Sequence, residues 1–274
     1  MINVIQDGYK RTTYLNDEAK ATLIFAHGAG AGNKHTFIVD YAMSLAKLGF
    51  NVVTFNFPYM QTVYETEKRR PPNRAPQLLE YFQLEIEMVK TSIAPELPLF
   101  LIGKSMGGRM ASLLAADVSN LFDGLIVLGY PFIPPGKPEK LEERIAHFPK
   151  IVKPTLILQG ERDSFGGTEL IQSLKLPKNM QTFAIPDGDH SFNSNFILDG
   201  ISGTIGDAVV TDVDVIDDSF GNNGHGNDNN GYGNDDQDAP GNSADHNNAE
   251  NSSDDAYSIS VSPPITLDFD SSTG

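Results

Sequence analysis

Residues Gly103-Lys104-Ser105-Met106-Gly107 form a G-x-S-x-G motif. It directly follows the apolar run Leu99-Phe100-Leu101-Ile102 and precedes a helical pattern opened by Gly108, Met110 and Ala111. Strand, sharp turn and helix in that order leave a serine alone at a tip, its hydroxyl exposed for attack on a carbonyl. Glycine on both sides suits a strained turn whose flanks must pack closely. A serine hydroxyl is a weak nucleophile: it needs a base to take its proton and a third group to orient that base. Acyl transfer also needs N–H donors aimed at the oxyanion that develops on the attacked carbonyl.

Candidates for each part lie at the ends of other apolar runs. Thr155-Leu156-Ile157-Leu158-Gln159 leads into Gly160-Glu161-Arg162-Asp163, and Gln181-Thr182-Phe183-Ala184-Ile185 leads into Pro186-Asp187-Gly188-Asp189-His190. Of the six histidines, His27 and His190 follow strand-like runs and His190 follows the last, so His190 is the candidate base. Asp163 is the candidate orienting acid. Glu161, Asp187 and Asp189 compete with it, but the last two lie too near His190 in sequence to reach its ring from behind. One oxyanion donor is expected from the N–H of Met106. A second is expected from Gly28 or Ala29, in the small-residue turn His27-Gly28-Ala29-Gly30-Ala31-Gly32. That turn matches neither G-x-G-x-x-G nor a phosphate loop, and His27 is expected to support it rather than perform chemistry.

These residues need a scaffold that brings strand ends together. Short apolar runs at 21–26, 51–57, 99–102, 125–129, 155–159 and 181–185 alternate with helical spacing at 37–48, 75–91, 110–116, 141–148 and 168–174. The 75–91 stripe of Leu78, Phe82, Ile86 and Val89 has the clearest helical period. Alternation of this kind predicts an α/β fold: a mostly parallel sheet with helices on both faces and its crevice at the C-terminal ends of the strands. The residues between 129 and 153 leave room for one short helix, so a minimal cap and an open pocket are expected.

Composition divides the chain. Residues 197–274 hold 15 Asp, one Glu and no Lys or Arg, which accounts for the whole net charge of −16. The remaining 20 acidic and 20 basic residues balance. Residues 221–274 are dominated by Asn, Gly, Asp and Ser and read as a disordered acidic tail. Residues 197–220 read as a connector or a substitute helix, with Ile205, Val209, Val213, Ile216 and Phe220 at helical spacing, and 1–196 as the folded domain. The absence of cysteine excludes a thiol nucleophile, a disulfide framework and a thiolate metal site. No signal-peptide pattern and no apolar run near the ~20 residues of a membrane span is present, so a cytoplasmic location is expected. Neither nucleic acid nor membrane is an expected partner, and no cofactor or metal is expected.

The motifs resemble those of α/β-hydrolases, in the branch of dienelactone-hydrolase-like bacterial hydrolases, testis-expressed protein 30 and the third subunit of the NSL chromatin complex. The resemblance rests on His27-Gly28-Ala29-Gly30, Phe55-Asn56-Phe57-Pro58-Tyr59, the stretch 70–76, Gly103 to Arg109, Leu128-Gly129-Tyr130-Pro131, the stretch 134–138, Gln159 to Asp163 and Gly188 to Phe192. The order Ser105, Asp163, His190 is also that of α/β-hydrolases. The resemblance implies that these three are the catalytic triad and that the reaction is hydrolysis of a small carboxylic ester or thioester. Lys104, Tyr59, Arg70, Arg74 and Tyr130 are candidate substrate contacts, the basic residues with Lys68 and Arg69 favouring an anionic substrate. The chromatin-complex relatives suggest a second reading, a non-catalytic scaffold that binds a protein partner.

Overall fold

The computed structural model describes residues 1–93 and 95–192. Its strands are β1 (Ile2–Asp7), β2 (Arg11–Asn16), β3 (Ala21–Ala26), β4 (Phe50–Phe55), β5 (Leu99–Lys104), β6 (Gly124–Leu128), β7 (Thr155–Gly160) and β8 (Met180–Ile185). The helices are α1 (Thr36–Lys47), α2 (Pro58–Thr66), α3 (Ala75–Ser92), α4 (Met106–Asp117), α5 (Leu141–Ile145) and α6 (Thr168–Ser173). The strands form one sheet in the order β1-β2-β4-β3-β5-β6-β7-β8. From β4 to β8 neighbours run parallel, while the β1–β2 and β2–β4 pairs are antiparallel. This is the α/β-hydrolase fold.

The central strands are apolar throughout because both faces of the sheet are covered. Every residue of β3, β4, β6 and β7 is buried. Alternate residues serve opposite faces. Ile24, Val53, Leu101, Val127 and Ile157 pack with Leu78, Phe82 and Ile86 of α3 and Met110 and Leu114 of α4. Leu23, Phe25, Val52, Ile102 and Leu158 belong to a second core with Ile38, Ala42 and Leu45 of α1. Each fully buried side chain of the α3 stripe contributes roughly 1.5–3 kcal/mol of transfer free energy. A buried ion pair pins β2 to α3, with the Arg11 guanidinium 2.7 and 3.0 Å from Glu85 Oε2.

Three elements differ from the sequence expectation. The 51–57 run ends as a strand at Phe55, and Pro58 opens α2 instead of merely stopping the strand; its missing N–H is no loss in a first helical turn. Helix α4 begins at Met106, ahead of the helical pattern that Gly108, Met110 and Ala111 open. The β1–β2 hairpin precedes the first strand read from the pattern. The β6–β7 connection holds α5, with five residues, and two three-residue 3₁₀ turns, which is a minimal cap. The expectations for 197–220 and for the 221–274 tail lie outside the described residues.

Candidate active site

Ser105 lies between β5 and α4 with φ 51° and ψ −115°. A non-glycine residue at positive φ holds about 1–3 kcal/mol of strain, which the surrounding packing must enforce. Backbone contact supplies that enforcement. A Cβ on Gly107 would lie 2.4 Å from the Ala26 carbonyl oxygen and 2.6 Å from that of His27. One on Gly103 would lie 2.4 Å from Gly108 N. The glycines therefore let α4 start flat against β3 and β5, and Ser105 N–H donates to the Leu128 carbonyl at 2.9 Å.

The loops after β7 and β8 bring two further groups to this tip. His190 Nε2 is 2.8 Å from Ser105 Oγ, and His190 Nδ1 is 2.8 Å from Asp163 Oδ2. The Asp163 carboxylate is an acceptor, so Nδ1 carries the proton and Nε2 is free to accept from the serine hydroxyl. The Asp163 side chain is fully buried, that of His190 partly exposed. Burial, reinforced by the nearby Lys104 charge, holds His190 below the ordinary histidine pKa against the opposing pull of Asp163. The imidazole is thus neutral near pH 7. Phe165 lies against it, ring centres 4.2 Å apart.

Asp163 is itself held. Its Oδ1 accepts the Phe165 N–H at 2.8 Å, and its Oδ2 accepts from Gln159 Nε2 at 2.8 Å. Gln159 also receives the Tyr130 N–H at 2.8 Å and donates to the Gly166 carbonyl at 2.8 Å. Sequence reasoning missed this residue as part of the site. Its signal was a lone amide in the apolar run Thr155-Leu156-Ile157-Leu158-Gln159, which a buried strand admits only with its hydrogen bonds made. The competing acids sit elsewhere. Glu161 is exposed and accepts the Asp187 N–H, and Asp189 accepts the Ser191 N–H.

The turn after β3 approaches from the other side. A Cβ on Gly28 would lie 3.7 Å from Ser105 Cβ. His27 is fully buried and accepts the Phe57 N–H on Nε2 at 3.1 Å, which leaves its Nδ1–H to the Gly28 carbonyl at 2.6 Å. Burial pushes its pKa down to about 4, so it stays neutral. The Tyr59 hydroxyl donates to the Ala29 carbonyl at 2.8 Å. A trans peptide points its N–H opposite its carbonyl. The Ala29 N–H therefore points away from His27, and the Met106 N–H stands at the start of α4, where no intrahelical partner exists. Asn56 locks the turn further, accepting the Asn33 N–H at 2.8 Å and donating to Asn33 Oδ1 at 2.7 Å.

The candidate substrate contacts divide into three that turn inward and two that are exposed. Tyr130 is fully buried and donates to the Arg144 carbonyl, bracing the cap. Tyr59 is buried and braces the β3 turn. Lys104 turns inward to the His190 carbonyl, and burial pushes its pKa down to about 8. Arg70 and Arg74 are exposed on the segment between α2 and α3, where Asn73 Oδ1 accepts the Tyr59 N–H at 2.9 Å. Among the described residues no three His, Asp or Glu side chains converge as a metal site, and no helix is long and apolar enough to cross a membrane.

Comparison with known proteins gives the geometry a context. A family model described as an alpha/beta hydrolase domain matches residues 19–203. Among solved structures, dienelactone hydrolase from Anabaena variabilis ATCC 29413 is similar at a TM-score of 0.55 and 16% identity, over 73% of this chain and 92% of that one. Est1E from Butyrivibrio proteoclasticus with ferulic acid bound gives 0.54 and 19%, over 72% and 94%. An alpha-beta serine hydrolase homologue from Coxiella burnetii gives 0.52 and 18%, over 69% and 88%. No curated protein matches the sequence.

Proposed function

This chain belongs to the alpha/beta hydrolase domain family, and from that premise we propose that it is a serine hydrolase acting on a small carboxylic ester or thioester. The observation that carries the reading is the continuous path Ser105 Oγ, His190, Asp163, with both contacts at 2.8 Å, at the tip of a strained turn. Ser105 attacks the carbonyl carbon as His190 Nε2 takes its proton. Asp163 orients the imidazole and stabilises the imidazolium that forms. The Met106 N–H and the Ala29 or Gly28 N–H receive the oxyanion, the first at a helix N-terminus that favours negative charge. His190 then returns the proton to the departing alcohol or thiol. Water, deprotonated by the same imidazole, releases the acid from the acyl-serine.

The minimal cap supports small, accessible substrates, and two of the structural neighbours are a dienelactone hydrolase and an esterase-named protein seen with ferulic acid. Arg70 and Arg74, with Lys68 and Arg69 on the same exposed segment, are the basic residues that would draw an anionic group toward the cleft. Labelling with a fluorophosphonate probe tests the reading. Wild-type protein should label at one serine and hydrolyse short aryl esters or acyl thioesters. Folded Ser105→Ala should not label, and turnover should fall by on the order of 10^6-fold. Absence of labelling in folded wild-type protein overturns the proposal.

A further inference from the structure

Lys104 immediately precedes Ser105, and its side chain leaves β5 on the α1 face of the sheet. Its ammonium donates to the His190 carbonyl. It lies 4.5 Å from the centre of the Phe192 ring and 6.0 Å from that of Phe37 on α1. The turn after β6 makes room for it. Gly129, at φ 66°, comes so close that a Cβ there would stand 3.2 Å from Nζ and 2.9 Å from Phe192. One half-buried cation thus joins the strand of the proposed nucleophile, the β6 turn and the loop of the proposed base.

Apart from the bonds of the imidazole itself, the other bonds of the His190 loop run elsewhere. Arg162 N–H donates to Gly188 and the Arg162 guanidinium to Asp187, tying it to the loop after β7. Asp189 accepts the Ser191 N–H, tying it to itself. The Lys104 bond ties it to β5. Fixing the His190 carbonyl fixes the peptide from which the imidazole departs, so the reach of Nε2 toward Ser105 Oγ is set from behind the nucleophile.

We propose that Lys104 is a positioning residue, its ammonium locking the His190 backbone to the strand that carries Ser105. The assignment rests on the hydrolase reading for its catalytic consequence, though not for its geometry. The charged groups acting on Lys104 are Asp163 from the loop after β7 and Asp189 and His190 from the loop after β8; α1 offers it the neutral Phe37 ring. The Lys104 charge in turn disfavours the imidazolium.

Lys104→Met keeps the stem and removes the ammonium; Lys104→Arg keeps a charged donor. Loss of positioning should lower kcat about tenfold to a hundredfold with KM little changed. The acid limb of kcat/KM should move to higher pH in Lys104→Met and return toward the wild-type position in Lys104→Arg. The His190 ring, assigned by NMR with His190→Gln, should titrate at higher pH in resting Lys104→Met. That signal needs no turnover. A wild-type protein that fails to label therefore sinks the hydrolase reading, while the His190 titration still decides the Lys104 assignment. Should Lys104→Met not fold, the wild-type His190 signal should carry a second inflection near pH 8, where Lys104 loses its proton. An unmoved His190 titration in folded Lys104→Met, or a wild-type His190 signal with no second inflection at any pH at which Lys104 loses its proton, overturns the assignment.

Discussion

The two halves of the candidate site are built by different means. Around Ser105, backbone lies on backbone: Gly103 against Gly107 and Gly108, and Gly107 against the carbonyls of Ala26 and His27. Around His190 and Asp163, side chains do the holding: the Gln159 amide on Asp163, the Lys104 ammonium on the His190 carbonyl and the Arg162 guanidinium on Asp187. The first half is specified by two short stretches, 26–27 and 103–108, and tolerates almost no added volume where they meet. The second is specified by residues scattered from 104 to 190 and depends on polar groups finding their partners.

The largest effect on stability should come from adding volume to the first half. In Gly107→Ala the new methyl would meet two carbonyl oxygens that cannot turn away, so we expect about 3 kcal/mol or more of destabilisation by urea unfolding. Gly30→Ala, only three residues from His27, has nothing within 4 Å of the new Cβ. It should change stability by less than about 0.5–1 kcal/mol, with any change favourable through the unfolded chain. Equal losses in the two variants would remove the distinction between a packed elbow and an open loop tip.

Acid should also act on the first half, through His27. Its folded pKa of about 4 lies below the ordinary 6.5, so the unfolded chain takes up the proton first as pH falls. The His27 contribution is whole above pH 6.5 and is lost progressively between 6.5 and about 4, to a total of about 3 kcal/mol. His147, also pushed down to about 4, by burial and then by Arg109 and Lys150, adds to the same slope. His27→Gln retains an acceptor for the Phe57 N–H but does not titrate. It should be less stable at pH 7, and the fall in its urea midpoint toward pH 4 should be shallower than in the wild type. Parallel slopes would show that His27 does not hold the turn in neutral form.

The second half should break through Gln159. Leucine there leaves the Tyr130 N–H, the Gly166 carbonyl and Asp163 Oδ2 short of a partner, at a cost of about 2 kcal/mol. Asp163 loses its lateral restraint while keeping the Phe165 N–H, so kcat/KM for whichever ester proves to be a substrate should fall roughly tenfold to a hundredfold. A variant destabilised to that extent with kcat/KM intact would make Gln159 a core residue and nothing more.

The same contrast explains what could be read from sequence. The strand-turn-helix at Ser105 and the buried strands are legible because local spacing dictates them: apolar runs, flanking glycines and the helical stripe from Leu78 to Val89. The β1–β2 hairpin was not. Every residue of β1 except Ile2 is exposed, so no buried alternation marks it, and β2 buries Thr12 and Thr13 among polar ends. Helix α2 buries only Tyr59 and Met60, too little to form a stripe behind a proline. Glycine is a poor helix former, and Gly107 hides the start of α4, which packing against β3 and β5 fixes at Met106. Ser105, Asp163 and His190 stand out as candidates because each follows a strand end, and the structure brings the three within hydrogen-bond distance in a chain. Lys104, Tyr59 and Tyr130 read as substrate contacts from a sequence that gives a side chain's chemistry but not its direction; in the structure all three turn inward onto backbone carbonyls.

The smallest effect concerns the acids that compete with Asp163. Glu161 lies two residues nearer the end of β7, yet its carboxylate is exposed and accepts the Asp187 N–H at 2.9 Å. Asp189 is next to His190 in sequence, yet it accepts the Ser191 N–H at 2.8 Å. A residue adjacent to the histidine cannot easily turn back to Nδ1, whereas Asp163 reaches it across the gap between two strands. Glu161→Gln keeps the acceptor for Asp187 and removes an exposed charge, so stability should change by less than about 0.5 kcal/mol and kcat/KM by less than about twofold. Asp163→Asn presents an amide where Nδ1–H needs an acceptor, favours the wrong imidazole tautomer and should lower kcat by roughly 10^4-fold. Steady-state kinetics on the two variants decides which carboxylate orients the base: a large loss in Glu161→Gln with little in Asp163→Asn would reverse the assignment and show that nearness to the strand end outweighs burial and contact.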